Sequence, residues 1–391
     1  MSTTDIGTPL PFTLAVPDSA LADLRTRLAL TRFPDQAPDE PWAYGTDVGY
    51  MRDLVAYWRD GFDWRAQEAV LNAWPQFKVR LHGINVHYLR IEGKGPNPTP
   101  LLLMHGWPGS VFEFVDIIPR LIDPARFGGD PSDAFTVIAP SLPGFGLSFA
   151  PNQPRFKIEQ IAACFADLMT KVLGFPRYAA QGGDFGAFTA SRLGYAFPEQ
   201  VIGIHINLLT VPRDRPAPKN PTPEEARYYN ELAGWLKEET GYQWIQGTKP
   251  QTLAFGLSDS PAGLAAWIVE KFRTWSDCNG DVESVHSRDR LLANISLYWF
   301  TGAIGSSFWP YYARMHGPWP IPTGETVDVP MGYCAFPHEI ISPPPSVAAT
   351  MYTDIRRWTP MAKGGHFAAM EQPEALAHEI AAFFRPLRYR L

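Results

Sequence analysis

The stretch YAAQGGDFGAFTASRLGYAF, residues 178–197, decides the fold. It reads as the end of a short buried strand (178–181), a glycine-rich turn, and a helix over 187–197 that opens with small residues. At its centre, GGDFG puts Asp184 where a sharp strand-to-helix turn usually presents a serine. Gly182 and Gly186 stand two residues either side, the spacing of a GxSxG nucleophile elbow. Glycine tolerates the strained backbone of such a turn, and the second glycine lets helix and strand approach. A carboxylate at a helix N-terminus meets free backbone amides and the positive end of the helix dipole, which favour an anion. The same five residues also suit a plain turn with Asp184 as helix N-cap, so the rest of the chain must separate a nucleophile from a cap.

Around this turn, strand and helix patterns alternate. Apolar runs at 101–104 and 135–139 end in the glycine-rich segments HGWPGS (105–110) and PSLPGFGLS (140–148), and another run at 201–207 follows the elbow helix. Helical patterns at 111–121, 158–173 and 185–197 separate them. The alternation predicts βαβ units, a mostly parallel sheet, and a ligand site beyond the carboxyl ends of its strands. Upstream, Asp18 reads as the N-cap of a helix that spaces Leu21, Leu24, Leu28 and Leu30 on one face, and a second amphipathic stretch covers 50–58. Alternation at 77–81 and 86–91 about His82 and Gly83 predicts a hairpin.

After Leu209 a proline-rich connection (212–223) leads into aromatic, helix-like sequence over 224–312, read as an inserted lid. Strand patterns resume at 329–335 and 356–361, and 373–384 reads as the closing helix. The expected organisation is a helical leader running into the first strands (1–95), a first part of the core (96–210), the lid (211–325) and a second part of the core (326–391).

The chain's 391 residues, 45% hydrophobic and 13% aromatic, can bury a large core. A net charge of -6 is mild, and no Lys/Arg run is interleaved with aromatics. The expected partner is therefore a small molecule, with no nucleic acid and no membrane surface. Cys164, Cys278 and Cys334 lack CxxC spacing and read as buried free thiols, neither a disulfide framework nor a zinc site. Residues 1–11 carry no basic stretch followed by an apolar one, and nowhere do the roughly eighteen apolar residues of a membrane span run together. A soluble, cytoplasmic protein is expected.

Partners for Asp184 lie downstream. His366, in KGGHFAAMEQPE (363–374), follows the last strand pattern through two glycines and precedes the last helix, so its imidazole can reach over the end of the sheet. The chain order nucleophile, acid, histidine is that of triads built on an elbow. Glu339, in AFPHEI (335–340), directly follows a strand pattern and is the candidate acid to orient His366. Asp328 precedes that strand and Asp354 lies on a segment read as helical, so both are weaker candidates. His338 and His105 read as structural. The backbone amides of Trp107, in HGWPGS, and of Phe185 are the candidate oxyanion donors, and both rings are candidates to line the substrate.

An aspartate nucleophile narrows the chemistry. Attack on an acyl carbon would give an energy-rich anhydride, whereas attack on a saturated carbon bearing a leaving group gives an alkyl ester that histidine-activated water can cleave. Epoxides and alkyl halides are the candidate electrophiles. A halide needs aromatic or amide N–H donors, and an epoxide oxygen needs acidic hydroxyls to protonate it.

With the leader PFTLAVPDSALADLRTRLALTRFPD (11–35), the segments HGWPGS, QGGDFG (181–186), ETGYQWIQGTKPQT (239–252), SDSPAGLAAWIVEKF (258–272), LYWFTG (297–302), FPHE (336–339) and GGHFAAMEQPE (364–374) follow in order. Together they resemble the microsomal-type epoxide hydrolases, a branch of the α/β-hydrolase fold, over nearly the whole chain. The resemblance implies a mostly parallel central sheet with an inserted helical lid and an N-terminal helical extension. It also implies conversion of an epoxide to a vicinal diol without metal or organic cofactor. The match to ETGYQWIQ puts one epoxide-protonating lid tyrosine on Tyr242, and counting through SSFWPYY (306–312) favours Tyr311 over Tyr312 for the second. Tyr298 is read as packing.

Two departures stand out. Phe185 replaces a Trp common in the family and so lacks an N–H, which weakens the rival reading as a haloalkane-type dehalogenase. The leader is also expected to lack the membrane anchor of mammalian relatives. A non-catalytic ligand carrier is the rival from another class, and the full set of nucleophile, acid and base argues against it. An apolar epoxide is the expected substrate. Its identity, stereochemical preference, and whether the chain is a homodimer stay open, as does whether Trp235, Trp244, Trp267 and Phe255 face pocket or core.

Overall fold

A computed structural model describes residues 6–212 and 216–390. The first five residues, and residues 213–215 of the proline-rich connection, lie outside that description. A nine-stranded sheet forms the core: β1 (Leu10–Phe12), β2 (Gln76–Leu81), β3 (Ile84–Ile91), β4 (Thr99–Met104), β5 (Phe135–Pro140), β6 (Tyr178–Gly182), β7 (Val201–Ile206), β8 (Met331–Ala335) and β9 (Ile355–Pro360). The spatial order is β1-β2-β3-β5-β4-β6-β7-β8-β9. From β5 to β9 all pairings are parallel, and β1, β2 and β3 add an antiparallel edge.

Strands β4, β5, β6 and β7 are buried along their full lengths. That burial on both faces is why they read as continuous apolar runs and not as alternating ones. The β2–β3 hairpin forms where expected. Its turn residues His82 and Gly83 both take positive φ, 50° and 82°, as a tight two-residue turn requires. Strand β4 lies between β5 and β6, so the chain reverses its direction of winding there, and the loops leaving β4 and β6 flank the crevice at that point.

Several expectations are corrected. Asp18 is the first residue of the helix Asp18–Ala29, whose cap is Pro17 with no side-chain bond; Asp18 instead pairs with Arg65 across the leader. Leu30 lies past the helix end and is 73% exposed. Strand β1, which no strand pattern in the sequence announces, pairs with β2. The helix expected over 111–121 is broken into a 3-10 turn, Val111–Phe114, and a short helix, Ile118–Ile122. Pro119 explains the break, since its ring conflicts with the carbonyl four residues back and it has no N–H to donate. The helix expected to reach 173 is α-helical only over Ile158–Asp167 and then widens into a π turn, Leu168–Val172. Asp354 lies in the loop before β9, not in a helix, and pairs with Arg356.

Between β7 and β8 the chain is helical. The helices Pro223–Glu238, Gly241–Thr248, Pro250–Asp259, Pro261–Trp275, Arg288–Thr301, Ile304–Ser307 and Trp309–Met315 cover the carboxyl ends of the strands. The leader holds this lid in place: Trp58 Nε1 donates to Ser296 Oγ at 3.0 Å, Tyr57 Oη to Asp289 at 2.8 Å, and Thr46 Oγ1 to the Ala266 carbonyl at 2.8 Å. Among the described residues, no helix is long and apolar enough to cross a membrane, and no cluster of three or more His, Cys, Asp or Glu side chains could hold a metal ion. All three cysteines are free and buried.

Candidate active site

Asp184 begins the helix Asp184–Ala196 at the end of β6, with φ +45°. A non-glycine residue held there costs about 1–2 kcal/mol, so the turn persists only because its neighbours leave it no alternative. A Cβ on Gly186 would run into the Met104 carbonyl of β4, and one on Gly182 would run into the Gly186 backbone. The two glycines of the motif therefore serve the close approach of strand and helix. The strain projects the Asp184 carboxylate over the sheet's end, where Oδ1 accepts the Trp107 backbone N–H at 2.8 Å.

The HGWPGS loop that supplies this donor is gripped from the lid. Asn294 Nδ2 donates to the Pro108 carbonyl at 2.7 Å, and Tyr298 Oη donates to the Gly109 carbonyl at 2.8 Å. Tyr298, read as packing, thus also anchors the oxyanion loop. His105 is structural, as expected. The Leu142 N–H donates to its Nε2 at 3.1 Å, which leaves Nδ1 as the protonated nitrogen facing the Gly106 carbonyl at 3.0 Å. Among the described residues, Trp107 is the backbone donor to the Asp184 carboxylate; the Phe185 amide, also expected to donate, makes no such bond.

His366 and Glu339 meet this carboxylate from the other side. His366 Nδ1 lies 2.6 Å from Glu339 Oε1, and Nε2 lies 3.7 Å from Asp184 Oδ2. Burial alone would lower the imidazole's pKa. The Glu339 charge and hydrogen bond, with the charge of Asp184, outweigh it and raise the pKa to about 9. The lid fixes the histidine loop as well: His366 N donates to the Trp275 carbonyl at 2.9 Å, and Gly364 N to Asp277 Oδ2 at 2.8 Å. Glu371 ties both segments together by accepting from Asp277 N at 2.8 Å and Phe367 N at 3.0 Å. His338 turns away to pair with Asp277 at 3.1 Å, and Asp328 accepts from Thr326 and Thr353, far from the imidazole's partners.

Above the carboxylate the lid contributes an aromatic enclosure. The Tyr242 ring stacks on the Trp107 indole, with centroids 5.4 Å apart and planes 11° apart. Tyr311 stands edge-on to Trp107 at 5.8 Å, to Phe185 at 4.8 Å and to Tyr242 at 5.7 Å. Burial, the neighbouring Tyr242 and Asp184, and a hydrogen bond with Tyr242 hold the Tyr311 proton on well above the usual phenol range. Tyr312 faces the other way, stacked between Trp309 and His316 at 4.9 and 4.0 Å. The geometry therefore brings Tyr311, not its neighbour, to Asp184. Trp244 and Phe255 are 61% and 73% exposed, so they line neither pocket nor core. Trp267 donates to Gln246 at 2.9 Å, and Trp235 packs beside Tyr228 and Leu232.

Comparison with known proteins shows the family and the fold. A family model described as epoxide hydrolase N terminus covers residues 9–114, and one described as alpha/beta hydrolase fold covers 99–268. Rabbit (Oryctolagus cuniculus) epoxide hydrolase 1 is 36% identical over 403 residues, covering 95% of this chain and 88% of that protein. The chain belongs to the epoxide hydrolase family. Among solved structures, the juvenile hormone epoxide hydrolase of the silkworm Bombyx mori superposes with a TM-score of 0.86 at 31% identity, covering 98% of this chain and 96% of that one. The Aspergillus niger epoxide hydrolase gives 0.83 at 29% identity, covering 97% of each. As an epoxide hydrolase, the chain is a microsomal-type member on the α/β-hydrolase fold.

Within this epoxide hydrolase site, four residues went unseen in the sequence reading. Gln243 Nε2 donates to Tyr242 Oη at 2.8 Å and is itself held by Arg314 at 2.9 Å. These two bonds fix the Tyr242 hydroxyl in place. Glu371 fastens the histidine loop, and Glu113 lies near Asp184 and His366. Its place in ETGYQWIQ, next to Tyr242, could have pointed to Gln243; the other three depend on distant segments.

Proposed function

We propose that Asp184 opens the epoxide by forming a hydroxyalkyl ester, and that His366, oriented by Glu339, directs the water that cleaves it. The observation that carries this reading is the division of labour within one carboxylate. Oδ1 is engaged by the Trp107 N–H at 2.8 Å, and Oδ2 faces His366 Nε2 at 3.7 Å. Oδ2 is the atom left to attack, and Oδ1 already sits where the ester carbonyl will need a donor.

In the first step Asp184 Oδ2 bonds to the less hindered epoxide carbon, the ring C–O bond breaks, and the oxygen takes a proton from Tyr242 or Tyr311. In the second, a water oxygen bonds to Asp184 Cγ while its proton passes to His366 Nε2. The Trp107 amide supports the oxyanion. The Cγ–O bond to the alkyl group then breaks, the departing alkoxide takes the proton from His366, the diol leaves, and the second water proton, left on the Asp184 carboxyl group, restores through His366 the one that the tyrosine gave up. No cofactor enters this scheme.

The raised imidazole pKa fits this order. Below about 9 the free enzyme holds a proton on His366, beside the anionic nucleophile. Ester formation removes the Asp184 charge, so the imidazole is released as a base only once there is an ester to hydrolyse. The walls Trp107, Phe185, Trp275 and Phe308 around the carboxylate favour an apolar epoxide.

A His366→Gln variant incubated with styrene oxide tests the reading. The peptide containing Asp184 should gain the mass of the epoxide and keep it. An unmodified peptide, or an adduct on another carboxylate, would refute the assignment.

A further inference from the structure

A small cavity of about 20 Å³ adjoins Asp184 and His366, room for one water molecule. Its walls come from the sheet ends, their loops and the final helices; neither Tyr242 nor Tyr311 lines it. Asp184 thus has two faces, an aromatic one beneath the lid and a polar one towards the core. Besides Asp184 and His366, the polar face carries Glu113, Gln181 and Asn207. Gln181 Nε2 donates to Asn207 Oδ1 at 3.1 Å, so the outer amide atoms of this pair remain for another partner.

Glu113 comes from the 3-10 turn Val111–Phe114 and folds back over the HGWPGS loop: a Cβ on Gly109 would coincide with its Oε1. That overlap explains the glycine at 109. Among the described residues no side chain pairs with the Glu113 carboxyl group. We infer that this cavity holds the water that cleaves the ester, and that Glu113 and His366 together position it. The inference rests on Asp184 being the ester-forming nucleophile.

A buried water needs two to four polar partners, and here they converge. One water proton points to His366 Nε2 and the other to a Glu113 carboxyl oxygen, which leaves a lone pair for Asp184 Cγ. When the oxygen bonds to Cγ, the first proton moves to His366 and then to the departing alkoxide, so Glu113 neither gains nor loses a proton overall. Loss of solvation pushes the Glu113 carboxyl up to about 8, against the pull of the His366 charge, with the Asp184 charge adding to the rise and a Ser110 backbone hydrogen bond opposing it. A neutral acid can accept a hydrogen bond from water without adding a further negative charge beside the histidine.

The test separates the two half-reactions. Stopped-flow tryptophan fluorescence with styrene oxide follows ester formation and ester hydrolysis in the wild type, Glu113→Ala and Glu113→Gln, with intact-protein mass spectrometry counting the adduct. Glu113→Ala should form the ester at the wild-type rate and hydrolyse it at least about tenfold more slowly, as loss of a positioned reactant predicts, so the adduct accumulates. Glu113→Gln, which keeps a neutral acceptor, should recover most of that loss.

Unchanged hydrolysis in Glu113→Ala, or equal slowing of both steps, would overturn the role of Glu113 while leaving the ester route intact. Failure to detect an adduct in His366→Gln would overturn the ester route and this inference with it.

Discussion

Replacing Asp184 by Asn removes one negative charge while keeping the shape of the side chain and an oxygen to accept the Trp107 N–H. It therefore imitates, for His366, the electrostatic change that ester formation brings. At the 3.7 Å separation of Asp184 Oδ2 and His366 Nε2, Coulomb's law with an effective dielectric constant of about 20 gives about 4.5 kcal/mol. At 1.36 kcal/mol per pKa unit this corresponds to roughly three units. The imidazole pKa, about 9 in the free enzyme, should thus fall to roughly 6 in Asp184→Asn.

The sign follows from the charge removed: a lost anion destabilises the imidazolium, so the neutral form appears at lower pH. Histidine-selective 15N labelling and an NMR titration of His366 in both proteins would measure it. The same displacement predicts that, in the wild type, ester hydrolysis rises with pH as His366 loses its proton in the ester and then levels off. It should do so at a pH well below that at which the free enzyme titrates. If His366 titrates within half a pH unit of the wild type in Asp184→Asn, an imidazole gated by the nucleophile's charge is wrong.

Tyr242→Phe and Tyr311→Phe should each slow ester formation by roughly 10²-fold, and Tyr312→Phe should leave it unchanged, as single-turnover kinetics would reveal. Tyr298→Phe leaves the buried Gly109 carbonyl without its donor; a loss of about 1–3 kcal/mol in denaturant unfolding is expected. Gly186→Ala meets a backbone carbonyl of β4 that cannot step aside. It should cost about 3 kcal/mol or fail to give soluble protein, and a thermal melt near that of the wild type would refute the packing account of the elbow.

What the sequence made legible are the features whose local chemistry leaves few alternatives. GGDFG needed glycines at both ends because strand and helix backbones touch there. His82–Gly83 announced a hairpin by its flanking alternation. Glu339 and His366 could be found because each directly follows a strand, where the fold puts loops at the site. Less legible were features decided by spatial neighbours. Strand β1 is three residues long and exists only through its pairing with β2. Pro119 was in plain view, yet the apolar spacing around it still suggested one helix. Tyr311 and Tyr312 differ by one step of helical phase, which spacing alone did not resolve. Glu113, Glu371 and Arg314 acquire roles only because the fold folds a loop back, joins the histidine loop to the lid, or brings one lid helix to another.

The central claim is that the oxygen delivered to the epoxide comes from Asp184 and not directly from water. A single turnover in 18O-labelled water, with enzyme in excess over epoxide, tests it. The account predicts an unlabelled diol and one 18O atom in the Asp184 carboxylate, recovered by mass spectrometry of the peptide that contains it. Label in the diol from that first turnover, with none in Asp184, would contradict it.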